Sequence, residues 1–219
     1  MSDAFRFNVR NLTIDFLVKD DITGVIYEST PEVVPGTMEI GMSPKVASAA
    51  LYGDGTQRHQ ENKISGYDVT LEHNKLPPPL RARMRGQRLD TNTGMYISSA
   101  DDVAAEFAIG WTVDLTDGHV EVTWLPKGKA VPSDKNVQQT EGENINYSTD
   151  SLVITAMPLE YNKHFEYIAD TSDTASGFTH AKAATFFDKV PVLPPRSAVD
   201  PGLGETPEPG ETEVGITTI

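Results

Sequence analysis

Residues 104–129, AAEFAIGWTVDLTDGHVEVTWLPKGK, hold the reading that decides the fold. Phe107, Ile109, Trp111, Val113 and Leu115 alternate with Ala108, Gly110, Thr112, Asp114 and Thr116, the period of a strand with one buried face. Asp117-Gly118 follows, a pair that tolerates the positive φ angles of a two-residue type I′ turn, so the chain is predicted to reverse there as a β-hairpin. Such a loop pairs Thr116 with His119. It sets Leu115 opposite Val120, Val113 opposite Val122 and Trp111 opposite Trp124, which brings both tryptophans of the chain together as the centre of the core. Cross-strand pairs of this kind contribute roughly 0.2 to 1 kcal/mol each. A slip of one residue would turn the whole set to the other face.

The same register sets Asp114 opposite Glu121, an unfavourable like-charge pair. That face is either solvated or the place of a cation or a partner subunit.

Working outward, 219 residues suffice for one large β domain or two small ones with a sizeable core. Residues 152–159 form an apolar run broken by Thr155 and Pro158, far short of the ~20 residues of a spanning helix. Residues 1–15 are interrupted by Asp3, Arg6 and Arg10 and do not read as a signal peptide, so the chain is expected to be made and kept inside a cell. There is no cysteine, which excludes disulfides, thiolate catalysis and Cys-based zinc sites. Eighteen basic against 32 acidic residues give a net charge of -14, which opposes non-specific attachment to nucleic acid.

In chain order, Leu12, Ile14 and Phe16 alternate with Thr13 and Asp15 as an N-terminal strand. A short segment begins at Gly24, Val33-Val34-Pro35-Gly36 marks a break, and Met38, Ile40 and Met42 form a strand that ends at Ser43-Pro44. Residues 45–65, KVASAALYGDGTQRHQENKIS, surround one apolar island, residues 49–52, with polar positions. They read as a long loop, and loops of more than about 12–15 residues in a compact domain are usually functional or disordered. Tyr67, Val69 and Leu71 resume strand alternation. Pro77-Pro78-Pro79 and Gly86 bracket a short helix over 79–85, with Leu80 and Met84 at i,i+4 facing the sheet. Arg81, Arg83, Arg85 and Arg88 crowd into the same stretch, as partners either for the acidic surface or for nucleic acid; the acid excess favours the former. Residues 131–144 are a polar loop. Leu152, Ile154 and Ala156 mark a further strand, and residues 160–168 are ambiguous between strand and turn. Residues 180–190 read as a helix capped by Thr179, with Ala183, Phe186, Phe187 and Val190 as a stripe covering a sheet edge. From Pro191 the chain holds six Pro, four Gly, five acids and one Arg in 29 residues. The domain is therefore placed at 1–190, and 191–219 as an extended arm or linker.

No catalytic constellation emerges. His59, His73, His119, His164 and His180 are scattered, with no metal-binding helix spacing. There is no P-loop, no G-x-S-x-G elbow and no G-x-G-x-x-G turn. Asp170-Thr171-Ser172-Asp173 lacks the spacing of a calcium loop and reads as a polar surface turn. No enzyme, cofactor or metal is expected.

The order of these pieces resembles the major tail protein of long-tailed bacteriophages, the tail-tube subunit family. The resemblance spans roughly residues 5–190 and is carried by SPKVASAALYGDG, DVAAEFAIGW and VTWLPKGK. It implies a mainly β fold, sandwich or barrel-like, with one or two short flanking helices and a long loop. It also implies a structural virion protein, made in the bacterial cytoplasm, whose hexameric rings stack into a tube that delivers DNA. Its partners would be itself and other tail proteins (tape measure, tail terminator, distal tail), with passing DNA touched non-specifically and no membrane. The resemblance assigns the loop, with Leu51, Tyr52, Asp54, Arg58, His59 and Glu61, to contacts between stacked rings; the acid excess suits an inner wall that does not retain DNA. Two other classes remain open: a carbohydrate-binding or adhesin-like module with an aromatic platform from Tyr27, Tyr52 or Tyr96, and a metal-dependent hydrolase using Asp114, His119 and Glu121.

Overall fold

The structure is a computed structural model, and it describes residues 4–28, 30–54, 56–131 and 149–195. The polar loop lies mostly outside the described residues, as does the arm beyond 195. The elements are β1 (Arg6–Asp21), β2 (Gly24–Tyr27), β3 (Glu32–Val33), β4 (Thr37–Gly53), β5 (Thr56–His73), α1 (Pro78–Arg85), β6 (Arg88–Asp90), β7 (Met95–Ile97), β8 (Glu106–Leu115), β9 (Val120–Val131), β10 (Asp150–Ala156), β11 (Tyr167–Asp170) and α2 (His180–Thr185). The protein is mainly β and antiparallel. One sheet runs β2-β1-β8-β9-β10-β5-β4, with β3 added to β1 and β11 to β9, while β6 and β7 pair separately.

β8 and β9 form the expected hairpin, but its turn is one residue longer. The Leu115 amide donates to His119 O at 2.9 Å and the Gly118 amide to Leu115 O at 3.0 Å, so Thr116, Asp117 and Gly118 make a three-residue loop. Gly118 takes the left-handed position at φ 86°, the arrangement of a type I turn closed by a glycine bulge. The register therefore moves by one: Gly110 faces Trp124, Trp111 faces Thr123, Val113 faces Glu121 and Asp114 faces Val120. The two tryptophans do not meet. Trp111 joins the core on one side of the sheet and Trp124 a second cluster on the other, because a slip of one residue inverts one strand's faces relative to its partner's. All six hairpin positions are still removed from solvent to a large extent: Trp111, Leu115, Val120, Val122 and Trp124 are buried and Val113 is half-buried.

The main core lies on the side of Trp111. Leu12, Ile14 and Phe16 of β1, Val69 and Leu71 of β5, Phe107 and Ile109 of β8, and Leu152, Ile154 and Ala156 of β10 converge there. α1 lies on this core through Leu80 and Met84, as its apolar spacing predicts, and stops at Gly86. On the opposite side, residues 186–190 cover the sheet. The Trp124 indole N–H donates to Phe186 O at 3.1 Å, Phe187 packs against the Trp124 ring at 5.5 Å, and Val190 is buried beside Ala108 and Tyr167. α2 is thus shorter than expected and precedes a cover over the middle of the sheet, at β8 and β9, rather than over an edge. Its Thr179 cap, accepting from the Lys182 amide, is as predicted.

Because β1 and β8 are covered on both faces, Thr13 and Asp15 are buried too, although they read as the outer side of a half-exposed strand.

Gly110 is where the two faces meet most tightly. A Cβ there would lie 2.6 Å from the Trp124 ring and 2.8 Å from that of Phe187. Gly110→Ala should therefore destabilise the protein by about 1–3 kcal/mol, the usual cost of overpacking, measured by urea unfolding. A neutral result would show that Trp124 does not sit over Gly110.

Candidate functional site

The stretch 45–65 is not a loop. β4 continues through Pro44 and pairs with β5 up to Gly53 opposite Thr56, so the two strands form a long ribbon. Residues 42–51 and 56–65 are exposed along it. At about 3.3 Å per residue, the part beyond Lys45 projects roughly 25 Å from the body. Pro44 is tolerated because β4 is an edge strand, with β5 as its only ladder partner among the described residues.

Ladder pairing sorts the ribbon side chains onto two faces. One carries Val46 opposite Ile64, Ser48 opposite Asn62 and Ala50 opposite Gln60. It holds no formal charge, and Ser48 donates to the Asn62 side chain at 2.8 Å. The other carries Ala47 opposite Lys63, Ala49 opposite Glu61 and Leu51 opposite His59. Of the predicted contact residues, Leu51, His59 and Glu61 therefore share one face, with Leu51 65% exposed. Asp54 and Arg58 pair at the tip at 2.9 Å. Tyr52 lies on β4 between Leu51 and the turn.

The other candidate clusters do not assemble. Asp114 accepts from Asn8 and from Arg10, at 2.8 Å and 2.9 Å, and Glu121 from Arg6 at 2.6 Å. Of the readings left open for this face, a cation is present, supplied by the chain's own Arg6 and Arg10 on β1. His119 meets the Thr171 hydroxyl at 3.2 Å and stacks on His180, away from any arrangement of three metal-ligating side chains among the described residues. Tyr27, Tyr52 and Tyr96 sit on β2, β4 and β7, strands that pair with different neighbours, and the Tyr27 hydroxyl is spent as a donor to Pro126 O at 2.7 Å. Asp170 and Asp173 accept backbone amides of their own turn. The helix arginines also pair within the chain: Arg83 with Glu28, its guanidinium 3.7 Å over the Phe16 ring, and Arg81 with Asp150 at 3.6 Å.

Two buried polar groups escaped the sequence reading. Lys127, within the hairpin exit, donates to Asp20 at 2.9 Å and lies 3.4 Å from Glu106. Burial works to lower its pKa, but hydrogen bonding and charge from Asp20 and Glu106 outweigh that and raise it. Asp20 also accepts the Glu160 amide at 2.8 Å, so this knot ties β1 and β9 to the turn after β10. Asp15, the second, is only 2% exposed, and its Oδ1 has no hydrogen-bond partner. Burial pushes its carboxyl up to about 6, the charge of Glu28 adds to the rise, and the Phe16 amide and Arg83 oppose it. Neither was legible, since alternation assigns such residues to solvent when a strand is covered on both sides.

No helix among the described residues is long and apolar enough to cross a membrane. A scan against known protein families finds no match, and a search of curated proteins finds none either.

Asp15 binds a proton more tightly in the folded protein than at its ordinary value of 3.8. Between about pH 4 and 6 the folded state therefore holds the extra proton, and stability from this group falls as pH rises through that window. Asp15→Asn should flatten this part of the stability profile and raise Tm at pH 7.5, read by thermal unfolding at several pH values. An unchanged pH slope would show that Asp15 is not the group concerned.

Proposed function

We propose that the protein is a self-assembling structural subunit, and more specifically a tail-tube protomer of a long-tailed bacteriophage, whose hexameric rings stack into the conduit for DNA. The observation that carries this reading is the β4–β5 ribbon. Beyond Lys45 it adds no residue to the monomer's core, yet it stays paired as far as Gly53 opposite Thr56 and presents the uncharged pairs Val46–Ile64, Ser48–Asn62 and Ala50–Gln60. A paired ribbon is stiff enough to bridge copies, and its neutral face avoids the repulsion that a net charge of -14 imposes on any two copies. The second edge of β4, without a ladder partner among the described residues, offers a further set of backbone bonds. The resemblance of residues 5–190 to tail-tube subunits supplies the finer reading: the ribbon makes the contact between stacked rings, the other tail proteins are the terminal partners, and the assembled virion tail is where the protein resides.

Negative-stain microscopy of the purified chain tests this directly, with rings or tubes as the expected result. Replacing residues 48–62 with a two-residue Asn-Gly turn, which keeps Ala47 opposite Lys63, should leave a folded β protein by circular dichroism that no longer makes long tubes. Full-length tubes from that variant would overturn the ribbon's role, and a strictly monomeric wild-type protein at high concentration would overturn self-assembly.

A further inference from the structure

A cavity of about 470 Å³ opens where β2 and the end of β1 meet the segment after α2. Asp15, Glu28 and Asp188 line it, with Val25, Tyr27 and Val192 among its apolar walls. We propose that it binds a primary alkylammonium group, either a lysine side chain or a small free amine.

The argument starts from Asp15. Its carboxylate is buried, lines the cavity, and leaves Oδ1 without a partner. An unmet buried acceptor is costly, and a charge-assisted donor is the partner that offsets the cost most. The other carboxylates set the local sign. Glu28 is occupied on both oxygens by Arg83 from α1, which leaves Asp15 as the deep anchor. Oδ1 is enough for an ammonium, a compact donor that needs one acceptor, whereas the fork of a guanidinium asks for two. The apolar walls match a methylene stem leading to the charged head. A metal ion fits poorly, because no group of three or more ligating side chains gathers among the described residues. The charged groups facing the cavity are Asp15 from β1, Glu28 after β2, and Asp188 and Lys189 from the covering segment. Since Asp15 titrates near 6, the bound cation would displace its proton, and affinity should rise from pH 5 to pH 7.5.

The test uses the full chain and n-butylammonium chloride at pH 7.5, followed by thermal shift and by amide chemical shifts, against sodium chloride at equal ionic strength. A saturable response at Val25 and Val192 is expected, weakened at least about ten-fold in Asp15→Asn, the loss of one charge-assisted contact. Near-ultraviolet circular dichroism verifies that this variant is folded. Val192→Trp, which fills the cavity, should abolish the response while leaving Asp15 in place, and Lys189→Met should retain it. Equal binding by folded Asp15→Asn, or no saturable response in the wild type, overturns the site. Light scattering separates the two sources of the amine: impaired self-association of Asp15→Asn points to a lysine of a second copy, whereas unchanged association with lost butylammonium binding points to a free amine. Because the butylammonium arm reads the isolated chain, its failure leaves the assembly reading untouched.

Discussion

The contact of Trp124 with the bare backbone of Gly110 is the constraint from which much of the structure follows. Any side chain at 110 would collide with that indole and with Phe187, so the sheet is thin at this point and the ring can approach it. The indole N–H then reaches Phe186 O, which fixes the height at which the covering segment crosses. Phe187 and Val190 settle behind it. The result is a central sheet layer buried on both faces, with Trp111 and α1 on one side and Trp124 and residues 186–190 on the other. A sheet covered on one face alone would have left Asp15, Thr13 and Thr112 in water; here all three are buried.

This explains where sequence reasoning succeeds and where it stops. Elements defined by local chemistry were legible. Prolines and Gly86 bracket α1, Thr179 caps α2, and Asp117-Gly118 reverses the chain. The register of the hairpin was not legible, because Asp-Gly fits both a two-residue loop and the last two positions of a three-residue one. The choice between them depends on which face Trp124 can occupy, and that is decided by Gly110 and by residues some 60 positions away. The ribbon was hidden for the opposite reason. Both its faces meet solvent in the monomer, so no alternation marks it, and a polar strand with Ala and Gln has the composition of a loop. Its pairing with a partner strand is the only signal, and that is not written in either strand alone.

The same residues account for where the charge goes. Arg6, Arg10, Lys45, Arg81, Arg83 and Lys127 each meet an acid of the same chain. These pairings tie β1 to β8 and β9, β4 to β5, and α1 to its surroundings. Apart from the buried Lys127–Asp20 pair, these are partly exposed and add little stability individually. Their effect is on specificity: they consume cations that would otherwise attract nucleic acid, Arg81 and Arg83 of α1 among them.

A net charge of -14 and a sheet edge with no ladder partner among the described residues pull in different directions. Among the described residues β4, 17 residues long, has no ladder partner on its second side, a hazard that monomeric β proteins blunt with charges, prolines or short strands. β4 has Pro44 and Lys45 near the body, but beyond them its outer reach holds only small and apolar residues up to Leu51. Between Val46 and Leu51 the charged positions of the ribbon, Lys63 and Glu61, sit on β5 and on one face. A chain selected to remain single would gain by placing charge on this edge too. Under the proposed self-assembly another copy would cover this edge and face, and the net charge would limit association to the geometry in which those neutral surfaces meet.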